Sequence, residues 1–113
     1  MQDKQYLMIP GPTPVPPAVY AAMSRPIIGH RTDEFAEMHR RVVEKVKKVF
    51  QTVNDVFVIT NSGTGAMETA IANTVNPGDK VLSLITGNFG ERFANIARAY
   101  QADVIEVDFG YGN

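Results

Sequence analysis

Beyond residue 55 the chain alternates short apolar runs with helical stretches. Val56-Phe57-Val58-Ile59-Thr60, Val81-Leu82-Ser83-Leu84-Ile85 and Val104-Ile105-Glu106-Val107-Asp108 read as strands. Helices are expected between them, from Thr64 to about Thr74 and from Phe89 to about Tyr100, and Pro77-Gly78-Asp79 turns the first helix into the second strand. Near-continuous apolar strands alternating with helices predict an α/β fold with a mostly parallel sheet and helices on both faces.

The first half has a different pattern. Pro10, Pro12, Pro14, Pro16 and Pro17 hold residues 1–17 extended and remove amide donors, so this stretch is an arm. A short helix follows from about Pro17 to Met23, with proline in its first turn. Phe35, Met38, Val42, Val46 and Val49 then recur at steps of three and four and predict a core-facing stripe on a helix from Asp33 to Phe50. Glu37, Arg40, Arg41, Glu44, Lys45, Lys47 and Lys48 make its solvated face. The organisation read from the pattern is an arm over 1–17 followed by an α/β stretch over 18–113.

Chemistry concentrates where the predicted strands end. Asn61-Ser62-Gly63-Thr64-Gly65 lies between the first strand and a helix, where the first backbone N–H groups have no intrahelical acceptor and favour an anion. Gly63 and Gly65 allow close backbone approach, and Ser62 and Thr64 add hydroxyl donors. A Walker loop is excluded because no lysine occurs between Lys48 and Lys80. A dinucleotide fingerprint is disfavoured because Glu68 stands at its third glycine position. The plain alternative is a strand-to-helix turn capped by Ser and Thr.

One βα unit later, Thr86-Gly87-Asn88-Phe89-Gly90-Glu91-Arg92 places an aromatic between two glycines at the mouth of the next helix. A phosphate cradle and an aromatic at successive strand ends suit a flat phosphorylated cofactor. The alternative for Phe89 is a core aromatic opening a helix.

Charge and composition narrow the field further. Eleven basic against twelve acidic residues give a net charge of −1, which offers no footprint for nucleic acid or an anionic membrane. The absence of cysteine removes disulfides, thiolate metal sites and cysteine nucleophiles from this chain. His30 and His39 have no third ligand at metal spacing, so no metal site is expected. Met1-Gln2-Asp3-Lys4-Gln5 lacks a signal peptide's hydrophobic run, and the expected location is cytoplasmic.

Taken together, Pro10-Gly11-Pro12-Thr13-Pro14, Gly29-His30-Arg31, Ser62-Gly63-Thr64-Gly65-Ala66-Met67-Glu68, Pro77-Gly78-Asp79-Lys80-Val81 and Gly87-Asn88-Phe89-Gly90-Glu91-Arg92 resemble the class V aminotransferases. The likeness is strongest to the alanine–glyoxylate and serine–pyruvate group and runs from about Leu7 to Tyr111 in family order. It implies pyridoxal 5′-phosphate as cofactor, the large domain of a fold-type I transferase, a homodimer, and small amino acid and 2-oxo acid substrates. By position, Ser62, Gly63 and Thr64 correspond to the phosphate-binding segment and Phe89 to the aromatic stacked on the pyridine ring. Gly11, Pro12 and His30 fall on the substrate side; the alternative for His30 is a residue merely preceding a helix capped by Thr32 or Asp33.

The resemblance also implies that the chain is an N-terminal fragment. The family's Schiff-base lysine, its aspartate facing the pyridine nitrogen and its substrate-binding arginine come from later sequence, so no catalytic residue is assigned here. Lys4, Lys45, Lys47, Lys48 and Lys80 read as solvated, whereas a Schiff-base lysine needs a desolvated pocket. In the fold-type I sheet the first strand lies apart from the second and third, so Val56 to Thr60 is expected to lack its neighbours. The competing function is a non-catalytic α/β module binding a phosphorylated ligand or a partner chain.

Overall fold

A computed structural model describes residues 6–112, and the chain divides into two compact units, Met1–Val56 and Phe57–Asn113.

The first unit contains helices α1 (Pro17–Met23) and α2 (Asp33–Phe50). Proline at the start of α1 costs no hydrogen bond, because a helix's first N–H has no internal acceptor. Thr32 caps α2: its Oγ1 accepts from Phe35 N at 3.3 Å and donates to Gly29 O at 2.7 Å. Asp33 and Glu34 in the first turn and Lys47 and Lys48 in the last complement the helix dipole. The helix ends at Gln51, which adopts the left-handed conformation at φ 52°. The helix and its cap are as the spacing predicts, but burial differs. No residue of α2 is buried, and Val49 is 80% exposed. A 3.6-residue period sets which side chains share a face, whereas burial needs a partner surface for that face.

The second unit contains α3 (Gly63–Thr74), β1 (Lys80–Ile85), α4 (Asn88–Ala99) and β2 (Asp103–Asp108). β1 and β2 pair in parallel, from Lys80 opposite Asp103 to Ile85 opposite Asp108. α4 is the crossover that a parallel pair requires; it packs on both strands, and α3 packs on α4. Ile71, Ile85, Ala94 and Ala97 form the core, with Ser83 buried beside them. Ser83 Oγ donates to Gly90 O at 3.4 Å, so its hydroxyl is spent on the helix that covers it. On the opposite face Leu82 and Leu84 stay about 60% exposed, as does much of Ile105. The α/β class and the parallel pairing match expectation; among the described residues the helical cover lies on one face.

The connections follow from local chemistry. Gly78 takes φ +85° in the turn before β1, and Asp79 Oδ2 accepts from Asn76 N at 2.7 Å. Asp103 N donates to Asp79 O at 2.9 Å, extending the ladder into the turn.

The expected first strand is corrected. Val56–Thr60 forms no strand, and Phe57, Val58 and Ile59 are exposed. A strand exists through its ladder, and no described segment pairs with this run.

Candidate functional site

The site at the start of α3 is built by side chains that satisfy some helix amides and leave others open. Ser62 is the N-cap; its Oγ accepts from Gly65 N at 3.1 Å while its carbonyl accepts from Ala66 N at 3.0 Å. Asn61 Oδ1 accepts from Ser62 N at 2.9 Å, and the Asn61 amide occupies the space where a Cβ on Gly65 would project. Among the described residues, the N–H groups of Gly63 and Thr64 meet no acceptor. A Cβ built at Gly63 meets nothing within 4 Å, so the space beside this backbone is open.

Gly65 is required for a different reason than Gly63. It makes room for the asparagine that shapes the turn, whereas Gly63 faces open space.

Phe89 is the second residue of α4 and is 50% exposed. Its ring lies 5.3 Å from Cζ of Arg92, a cation–π contact across one helical turn. The same guanidinium donates through Nη1 to Thr64 Oγ1 at 2.8 Å. Arg92 therefore joins the two glycine-flanked motifs. The sequence alone marks this motif but not the role of Arg92; the signal it carries is the i, i+3 spacing from Phe89.

α3 and α4 are tied again where Tyr100, the C-cap of α4, donates through Oη to Oε1 of Glu68, midway along α3, at 3.1 Å. That bond to a carboxylate raises the Tyr100 pKa. Glu91 similarly raises the pKa of Tyr111 through a side-chain hydrogen bond.

The local chemistry fits a phosphate monoester. Two amides are free, and the hydroxyls of Ser62 and Thr64 each accept one bond, leaving their own protons to donate. Arg92 adds a cation beside Thr64. Thus Ser62, Gly63 and Thr64 lie together and Phe89 is linked to them. Gly11, Pro12 and His30 lie in the first unit, all exposed, and His30 stands in the turn before the Thr32 cap. No group of three or more potential ligands could hold a metal ion among the described residues. No described helix is long and apolar enough to cross a membrane.

No family model matches the chain. An uncharacterized aminotransferase of Methanocaldococcus jannaschii is 56% identical over 110 residues, 97% of this chain and 29% of that protein. The crystal structure of alanine–glyoxylate aminotransferase from Nostoc sp. superposes with a TM-score of 0.84 at 36% identity, covering 92% of this chain and 28% of that one. The chain is similar to class V aminotransferases. Its match to these aminotransferases runs through both glycine-flanked motifs, yet it spans less than a third of their length. A protein named soluble hydrogenase 42 kDa subunit, from Anabaena cylindrica, is also similar, at 43% identity over 99% of this chain and 29% of that protein.

Proposed function

We propose that this chain is the N-terminal portion of a pyridoxal-phosphate-dependent aminotransferase, with residues 1–17 as an arm and 18–113 as part of the cofactor-binding large domain. The complete protein would be a cytoplasmic homodimer. It would move an amino group from a small amino acid, alanine or serine, to glyoxylate or pyruvate. Glyoxylate recurs in the names of relatives that differ in donor, among them L-aspartate–, alanine– and serine–glyoxylate aminotransferases, which supports a shared acceptor. The observation that carries the reading is the open start of α3, with two uncommitted amides, joined through Arg92 to an exposed aromatic.

When bound, pyridoxal phosphate supplies the electron sink for transamination. This chain's residues would hold and orient it. The Gly63 and Thr64 amides and the Ser62 and Thr64 hydroxyls would bind its phosphate, and Phe89 would lie against its ring. Gly11, Pro12 and His30 would serve the substrate side. The hydrogenase name is not carried over: the open amides and hydroxyls at the start of α3 support a phosphate-bearing cofactor.

The deciding experiment incubates the full-length protein with pyridoxal phosphate and assays amino transfer from alanine and serine to glyoxylate and pyruvate. Saturable, cofactor-dependent turnover is expected, and its absence with every pair would refute the assignment. The isolated 113-residue chain should show no turnover above free cofactor, because neither the family's lysine nor its arginine is assigned here. Borohydride reduction followed by peptide mapping should label no unique lysine in that chain; one specifically labelled lysine together with turnover would contradict this.

Phe89→Trp should keep cofactor affinity in the full-length protein. Phe89→Ala should cost about 1–3 kcal/mol of binding through lost stacking and contact. An alanine variant with normal cofactor affinity and a lowered melting temperature would make Phe89 a packing residue instead.

A further inference from the structure

We propose that Arg92 is a positioning residue that couples the phosphate side of the cofactor site to its ring side. The inference rests on the reading of Ser62, Gly63, Thr64 and Phe89 given above. It adds a residue for which that reading has no use.

Three observations single out this guanidinium. It is half-buried, and no carboxylate lies within ion-pair distance of it among the described residues. The contacts that would explain it as a surface ion pair are thus missing among the described residues, whereas Arg98, six residues further along α4, pairs with Glu106 at 2.6 Å. Its two neighbours are instead Thr64 Oγ1, on α3, and the ring of Phe89, on its own helix.

Each contact constrains one group. A threonine hydroxyl that accepts a fixed N–H···O bond has its remaining lone pair and its proton directed elsewhere, so its rotor is set for donation to an anion. A planar cation over an aromatic face fixes where the ring can lie. Because one rigid plane makes both contacts, moving the ring moves the hydroxyl. A lysine carries the same charge but no planar fork, so it cannot make both contacts with fixed geometry.

The test uses the full-length apoprotein titrated with pyridoxal phosphate, in wild type, Arg92→Met, Arg92→Lys, Thr64→Ala and the Arg92→Met/Thr64→Ala double variant. Arg92→Met should weaken binding about tenfold, and Arg92→Lys should recover less than half of that loss on a logarithmic scale. The double variant should be less impaired than the product of the single effects, because both remove one coupled interaction. The circular dichroism of the bound cofactor should change in Arg92→Met, reporting an altered ring setting.

Wild-type affinity in Arg92→Met, full recovery by lysine, or multiplicative single effects would each overturn the proposal. So would a lowered apoprotein melting temperature with unchanged cofactor binding and dichroism, which would mark a purely structural arginine. Gly63→Val separates the role of Arg92 from the phosphate site itself. If it abolishes retention while Arg92→Met does not, only the role of Arg92 fails; if neither variant affects binding, the phosphate-site reading itself fails.

Discussion

Gly63→Val in the full-length protein is expected to weaken pyridoxal phosphate binding about 10- to 100-fold, the loss of roughly one charge-assisted hydrogen bond. The fold should barely register the change. A Cβ at this position meets nothing within 4 Å, and the residue is the first of α3, where an N–H has no intrahelical acceptor to lose. The added side chain would stand in the approach to the two open amides. Equilibrium dialysis of the cofactor, with thermal unfolding of the apoprotein as control, measures both halves of this expectation. Unchanged affinity would remove Gly63 from the phosphate site.

Gly90→Val should have the reverse signature. A Cβ there would stand 3.1 Å from Ile85 Cα and 3.1 Å from Leu84 O, and both are backbone atoms that cannot swing aside. Glycine at this position lets α4 lie close on β1, close enough for Gly90 O to accept from the Ser83 hydroxyl. Valine would force helix and strand apart at a cost of about 1–3 kcal/mol, typical of overpacking. Gly90→Ala should be milder, since better helix propensity offsets about 1 kcal/mol of the crowding. Hydrogen exchange of β1 and α4 amides in the apoprotein should report faster opening for valine than for alanine. Equal protection in all three proteins would show that the interface is looser than these distances imply.

The two glycines lie in motifs that look alike in sequence, and only the structure separates their roles. Gly63 faces open space and Gly90 faces backbone, a distinction set by what the tertiary arrangement brings near each Cα. The same holds for Gly65, whose constraint is the Asn61 side chain four residues earlier.

Local signals in the sequence determined the helices to within a residue or two. Thr32 and Ser62 are caps because a β-region residue with a short hydroxyl can satisfy an orphan amide wherever it occurs, and proline at the start of α1 is likewise a local matter. The parallel pair β1–β2 was legible because two apolar runs separated by one helix of suitable length admit that connection readily. The glycine-flanked motifs and their family resemblance were legible for the same reason, being contiguous residues in order.

What depends on partners distant in sequence was decided by the tertiary structure. Val56–Thr60 has strand composition and no strand, because a ladder needs a neighbour that the described residues do not supply. The stripe on α2 has helical spacing without burial, because a periodic face must meet another surface to be covered. Arg92 reaches Thr64 across 28 residues, a separation at which side-chain geometry depends on how α3 and α4 pack. Periodicity and capping are properties of a segment, so sequence alone determines them; pairing, burial and the meeting of Arg92 with Thr64 are properties of two surfaces, and only the folded arrangement determines those.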